Sequence, residues 1–314
     1  MKQKNVFIAI ILISIIVFTV GITWQLLPKT STGPTGPISV IDDLGRNVTI
    51  TNYPPERIVS LAPSSTEILF ALGLGDKIVG VDSYSDYPPD AINIEPKVGS
   101  FSSINIETVL GLQPDLVLAT GGIQRIVVEA LEELGVVVVA LYPQNISAVL
   151  SDITLVGKIT GKISEANVLI TDISERIQDI ADITQDALRP RVYIEYFFNG
   201  GYWSYGSASM VNEMIYNAGG INVFAGFAGD YMSTSDEAII NADPEVIIIS
   251  QGAMAESCGL TIDVIKGRMG WGDVSAVEND RIYEIDEAML VRPGPRIVDA
   301  IETLAYLIHP ELFS

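Results

Sequence analysis

Apolar and polar positions alternate along this chain with two periods, and the periods predict its elements. SVIDDLGRNVTI (Ser39 to Ile50) alternates about Asp43-Leu44-Gly45, which predicts a β-hairpin. Four apolar runs follow, at Arg57–Pro63, Lys77–Val81, Asp115–Thr120 and Val136–Leu141. Each is five to seven residues long and reads as a buried strand. Between them, Thr66–Leu72, Ile106–Leu112 and Ile126–Leu134 have helical spacing, and Gly73 and Gly135 close the first and last. Apolar strands separated by helices predict a parallel sheet covered on both faces.

The least strand-like region is Ile146–Leu188. From Lys162 to Leu188 it holds no Gly or Pro over 27 residues, and Pro190 stops it. Ile170, Ile173, Ile177 and Ile180 recur three and four apart, one apolar face of a long helix. Such a helix is ~40 Å long, the size of a domain, and suits a rigid connector better than a crossover.

The alternation then restarts. Val192–Glu195, Glu245–Ser250 and Arg281–Ile285 read as strands, and Met210–Asn217 and Pro295–Ile308 as helices. The restart is an internal repeat. Glu67 to Gly73 aligns with Glu213 to Gly219, and Gly80 with Gly226, at an offset of 146. Ser103 to Thr120 aligns without gaps on Ser233 to Ser250, at an offset of 130. The competing reading is chance likeness between two βαβ stretches.

The N-terminus has a different pattern. Val6 to Trp24 is a run of 19 residues rich in Ile, Val and Phe, and no charge occurs between Lys4 and Lys29. The length is close to the ~20 residues that span a bilayer. Lys2 and Lys4 before it predict export of the chain beyond the run. No Ala-x-Ala-like site and no Cys occurs here, so an uncleaved anchor is favoured over a cleaved signal. The tether PKTSTGPTGP (Pro28 to Pro37) cannot form a packed core. The expected organisation is an anchor or signal over 1–27, a tether over 28–37, an N-terminal lobe over 38–143, connecting helices over 144–190 and a C-terminal lobe over 191–314.

Composition narrows the chemistry. All 39 acidic residues but only 15 of the 18 basic ones lie beyond Pro37, a formal charge of −24. That excludes a phosphate-reading nucleic-acid binder. It fits solubility, adaptation to salt, or a basic partner surface. One Cys (Cys258) and one His (His309) exclude a disulfide framework and a His- or Cys-rich metal site. They also leave a hydrolase only carboxylates and hydroxyls as base and nucleophile. A surface adhesin, the third class considered, does not need a deep two-lobed repeat.

Two α/β lobes joined by a helix leave a cleft, and ligands bind beyond the carboxyl ends of strands. Segments expected there are aromatic: SYSDYPP with Tyr84 and Tyr87, then Phe101, FFNGGYWSYGS with Tyr202, Trp203 and Tyr205, and FAGDYMS with Tyr231. Aromatic walls give large contact with few rotatable bonds, although ordinary loop packing also uses them. Arg292, in VRPGPR, is the best polar candidate; its alternative is a surface ion pair. Ser64-x-x-Glu67 has the form of a capping box. Glu213, its repeat partner, has Met210 in place of Ser64, so a shared external role is favoured for the two carboxylates.

From Ser39 to Phe313 the chain resembles the substrate-binding proteins of ABC importers for cobalamin, iron–siderophores and haem. DDLGR, RIVSLAPSSTE, VGVDSYSDYPP, LQPDLVLA, NEMIYNAGGINVF and RPGPRI carry the resemblance, which is nearest to the cobalamin-binding members. It implies two Rossmann-like α/β lobes joined by one long rigid helix, with the ligand cleft between them. It also implies a monomeric, non-enzymatic binder at the outer face of the cytoplasmic membrane, held there through residues 6–27 or secreted. No cofactor, metal ligand or nucleic acid is implied. The ligand would be cobalamin or a related corrinoid, with an iron–siderophore or haem as the alternative. Tyr84 and Phe101 would line the pocket, Phe101 and Tyr231 replacing tryptophans, and Arg292 would touch the ligand rim. Glu67 and Glu213 would dock onto permease arginines, one per lobe, with an ATPase on the cytoplasmic side. One departure is Thr120-Gly121-Gly122, where the cobalamin binders place a further Trp. Anionic siderophores need several cleft cations, and only Arg125 and Arg292 are expected near the cleft, which favours a neutral corrinoid.

Overall fold

The computed structural model describes residues 36–198 and 201–313. The expected anchor and nearly all of the tether lie outside the described residues. Among the described residues no helix is long and apolar enough to cross a membrane.

The chain opens with the expected hairpin, β1 (Ile38–Ile41) and β2 (Asn47–Ile50), with Gly45 at φ +73° in the turn. Then come β3 (Ile58–Ser60), α1 (Pro63–Ala71) and β4 (Ile78–Val81). The short pair β5 (Gly99–Ser100) and β6 (Ser103–Ile104) precedes α2 (Ile106–Gly111), β7 (Leu116–Thr120), α3 (Arg125–Glu133) and β8 (Val138–Leu141). The four strands β4-β3-β7-β8 form one parallel sheet. Val59, Val117 and Ala119 face one helix layer and Ile58, Leu116 and Leu118 the other, all fully buried. Burial on both faces is why these strands read as unbroken apolar runs.

Two helices follow, α4 (Ile146–Thr160) and α5 (Ile163–Thr184), separated at Gly161 with φ +75°. Ile173 and Ile180 are buried, and Ile170 and Ile177 pack beside them, the face that the three-and-four spacing predicts. At 22 residues, α5 is ~33 Å long. Arg176 on its outer face reaches Asp299 and Glu302, at 2.6 and 2.5 Å.

The second half repeats the first. It contains β9 (Arg191–Phe198), β10 (Gly201–Tyr205), α6 (Met210–Asn217), β11 (Ile221–Asn222), β12 (Tyr231–Ser233), α7 (Asp236–Ala242) and β13 (Val246–Gln251). Three short helices, α8 (Ala253–Cys258), α9 (Ile262–Lys266) and α10 (Ser275–Glu278), lead to β14 (Ile282–Asp286), α11 (Glu287–Val291) and α12 (Ile297–Ile308). Strands β11, β9, β13 and β14 are parallel, in the order of β4, β3, β7 and β8. The repeat extends to detail. Gly73 and Gly219 close α1 and α6 at φ +71° and +83°. Asn105 and Ser235 cap α2 and α7. Gln113 and Asp243 are both left-handed, at φ +48° and +43°. The Gly80–Gly226 match does not hold, because Gly80 lies inside β4 and Gly226 beyond β11. The sole histidine is structural: His309 is buried with Nε2 3.1 Å from the Gly219 carbonyl oxygen.

Two expectations need correction. FFNGGYWSYGS is not a strand-end loop; it forms most of the antiparallel pair β9–β10, with Tyr202 opposite Phe197 and Trp203 opposite Tyr196. Asn-Gly between aromatic residues is a hairpin signal, so the pattern was present in the sequence. The capping box is also absent. α1 starts earlier, with Ala62 as N-cap and Pro63 in the first turn, so Ser64 is already helical and caps nothing.

Candidate functional site

The sheets bring the aromatic candidates to two walls. On the C-terminal side, β9, β10 and β12 carry a ring cluster. Tyr196 lies 5.2 Å from Tyr205, 5.8 Å edge-on from Tyr231 and 6.4 Å from Trp203, centroid to centroid. Burial pushes the Tyr231 phenol up, and the carboxylates of Asp230 and Glu287 add to this. Glu287, in the first turn of α11, is itself pushed up by burial and by Asp286.

Tyr202 does not join this wall. Alternation along β10 sends it to the other sheet face, 4.0 Å over the Arg268 guanidinium. Arg268 there holds the fully buried Glu195 through two bonds of 2.6 Å, and Tyr193 donates to the same carboxylate at 2.9 Å. Tyr202 thus covers a buried ion pair, a packing role.

On the N-terminal side, the loop after β4 carries Tyr84 and Tyr87, both exposed. Asp82 anchors it from beneath, accepting from Tyr84 N–H at 2.9 Å and from Ser85 Oγ at 2.5 Å. A hydroxyl chain continues from Ser85 to Thr66 and Ser60, each step 2.8 Å. Burial raises the Asp82 carboxyl, and Ser85 and Tyr84 oppose it. Phe101 is half-buried at the next strand end; its carbonyl accepts from Gln124 Nε2 at 2.8 Å.

One wall residue escaped the sequence reading. Tyr142 directly follows β8, is 46% exposed, and packs on Gly121 and Gly122. A Cβ on Gly121 would be 2.9 Å from Tyr142 Cβ, and one on Gly122 2.9 Å from its Cε2. Tyr142 N–H donates to Asp43 Oδ2 at 2.5 Å. Asp43 in turn meets the buried Asp152 of α4, whose carboxyl is raised to about 9, by burial first and by Asp43 second. The available signal was position: Tyr142 sits at a strand's carboxyl end. Tyr142, Pro143 and Gln144 line a cavity of about 240 Å³ together with Ser209, Asp230, Tyr231 and Pro293 from the second half.

The three charged candidates lie on the seam between the halves, and two differ from expectation. Glu67 was expected to be exposed. It is 3% exposed, with Arg296 Nε 3.0 Å from Oε2, Arg296 Nη2 2.7 Å from Oε1 and Arg292 Nη1 3.4 Å from Oε1. Arg292 is not a free rim cation. It also holds Asp86 at 2.5 and 3.3 Å, and that bond is the main reason the Asp86 carboxyl is lowered. Arg296 stacks 4.1 Å over the Tyr87 ring. Glu213 is half-buried and accepts Ile146 N–H, the first of α4, at 2.9 Å. Arg125 stays at the surface, pairing with Glu129 of its own helix. Among the described residues no group of three or more His, Cys, Asp and Glu is placed to hold a metal ion.

Two repeated α/β units, an aromatic wall on each and a helical connector define a solute-binding protein. The chain belongs to the periplasmic binding protein family, which it matches over residues 58–289. It is 33% identical to a Bacillus subtilis ABC transporter substrate-binding lipoprotein, YvrC, over 88% of this chain and 87% of the relative. It is 33% identical to the vitamin B12-binding protein of Vibrio cholerae, over 80% of this chain and 88% of the relative. Among solved structures it resembles the periplasmic heme-binding protein RhuT of Roseiflexus, with TM-score 0.72, 29% identity and 82% and 99% of the two chains covered. The protein is thus the extracytoplasmic substrate-binding component of an ABC importer, working with a permease and an ATPase.

Proposed function

We propose that the protein captures cobalamin or a related corrinoid between its two aromatic walls and delivers it to the permease without chemical change. The observation that carries this is the pairing across the seam of Tyr142 with Tyr231, two half-exposed rings on one cavity. A cavity of about 240 Å³ is below the usual range for a whole ligand, so it suits one edge of a large planar one. Charge supports the neutral choice. Arg292 and Arg296 are already spent on Glu67 and Asp86, which leaves an anionic chelate few cations. Haem is the second reading, since tyrosine oxygen can hold ferric iron. The raised Tyr231 phenol weighs against it, because the ligating form is the phenolate.

Pocket contacts come from Tyr84, Phe101, Tyr142, Trp203 and Tyr231. Tyr87 and Arg292 act from the seam beside them. Docking to the permease uses Glu213 and, once its own arginines are displaced, Glu67. The test is a titration of the purified protein with cyanocobalamin, haemin and a ferric siderophore, followed by tryptophan fluorescence. Trp203 stands in the ring cluster and reports directly. Saturable quenching by cyanocobalamin alone supports the corrinoid; quenching by haemin or the siderophore alone overturns it.

A further inference from the structure

Glu67 and Glu213 share a geometry that the repeat alone does not require. Each lies six residues before the left-handed glycine that closes its helix, Gly73 or Gly219. Each reaches out of its own half. Glu67, on α1, takes the guanidinium of Arg296, the N-cap residue of α12, which comes after β14 and the short α11. Glu213, on α6, takes the N–H of Ile146, the first residue of α4, which follows the last strand of the first sheet. The contacts span 229 and 67 residues of chain. Two repeat-equivalent carboxylates therefore cross the seam in opposite directions, each to a helix start that lies beyond the last strand of a sheet.

A helix start is a natural seat for a carboxylate, because its first N–H groups have no partner within the helix. Across a seam, such a contact also fixes distance: moving the halves apart by a few ångströms breaks it. The two contacts lie near different cavities. Glu67 and Arg296 line one with Phe70, Tyr87, Ile173 and Arg176, while the segment that leads into Ile146 lines the one shared with Tyr231. Together they hold the seam at two places.

We propose that Glu67 and Glu213 are reciprocal clasps that set the separation of the two halves. A basic partner surface can then take these carboxylates only in exchange for their internal contacts. The first statement stands without any ligand; the second deepens the docking reading above and rests on it.

The separation is read by spin-label distance measurement on the full chain. Labels are placed at Ile126→Cys and Met269→Cys, both highly exposed, in a Cys258→Ser background. The parent should give one narrow distribution. Glu67→Gln and Glu213→Leu should each broaden or lengthen it, and the double variant should at least double its width. An unchanged distribution in a folded double variant overturns the clasp. A second measurement needs no variant. Carbodiimide-driven labelling of carboxylates in the unaltered protein should modify Glu67 at least tenfold more slowly than the exposed Glu129. Equal rates overturn the Glu67 clasp. For exchange, a tetra-arginine peptide serves as the probe. It should broaden the parent distribution and leave that of Glu67→Gln/Glu213→Gln unmoved. No broadening in the parent, or equal broadening in both, overturns exchange while leaving the clasp and the ligand reading standing.

Discussion

The seam at Glu67 and the seam at Glu213 start from repeat-equivalent helices and are opposite in electrostatics. At Glu67 two arginines meet two carboxylates, Glu67 and Asp86, and Tyr87 stacks on Arg296. On the Glu213 side, Asp43 sits under Tyr142 and meets Asp152 of α4, and among the described residues no ion pair is formed by Glu213, Asp43 or Asp152. There backbone N–H groups do the balancing, Ile146 N–H on Glu213 and Tyr142 N–H on Asp43, while burial and Asp43 push Asp152 toward its neutral form. One backbone plan thus tolerates two solutions, because a carboxylate needs donors and not specifically a cation. The first solution is sensitive to the loss of one charge, and the second to pH.

The largest effect should come from the charged seam. Glu67→Gln leaves Arg292 and Arg296, both mostly buried, without their shared anion, and should cost about 3–5 kcal/mol in denaturant unfolding. A loss below about 1 kcal/mol would show that the arginines find water and that the seam is loose.

The pH arm comes next. Asp152 keeps its proton in the fold up to about pH 9, against an ordinary value of 3.8. Folding therefore takes up a proton between those values, and stability falls as pH rises, by up to ~1.4 kcal/mol per unit. Asp152→Asn removes that slope and should raise stability at pH 8 by about 2–4 kcal/mol. Parallel unfolding curves for parent and variant from pH 5 to 9 would show that Asp152 takes up no proton on folding.

The aromatic cavity lies on the cation-free seam, so its rings can be truncated without disturbing Glu67. Tyr231→Ala and Tyr142→Ala should each weaken cyanocobalamin binding by ~1–3 kcal/mol, the scale of a lost large contact, in fluorescence titrations. Parent-like affinity in both would sink the pocket.

The smallest change is Glu213→Gln. The amide oxygen still accepts Ile146 N–H, and only the charge at the helix start is lost, about 0.3–1 kcal/mol in thermal unfolding. A loss as large as that for Glu67→Gln would end the contrast between the seams.

The sequence made the strands, the helices and the repeat legible, because each is written in patterns a few residues long. Ile173 and Ile180 face the core as their spacing said, and Asn105 and Ser235 cap matching helices. The fates of Glu67 and Arg292 were not legible. Glu67 meets partners 225 and 229 residues away and Arg292 meets partners 225 and 206 residues away, and no local pattern encodes such meetings. The local signal at Glu67, a Ser three residues before it, pointed to a cap, but the helix starts two residues sooner, at Pro63. Tyr202 failed for another reason: in a strand, neighbours face opposite ways, so Tyr202 and the adjacent Trp203 cannot line the same cleft. Tyr142 stands alone after β8 and not in an aromatic-rich segment, and only the pairing of β7 with β8 brings it over Gly121 and Gly122.

The hydroxyl chain Ser60–Thr66–Ser85, ending on Asp82, has a calorimetric consequence. It ties the Tyr84 loop to β3 and α1, so that loop moves with its lobe as a block. Whatever lands on Tyr84 meets a surface already ordered, and little backbone freedom is left there to lose. The entropy of capture should then be set by water leaving the rings and by the ligand's own immobilisation. In Ser85→Ala, where the chain is cut, the same heat should be released against a larger unfavourable entropy.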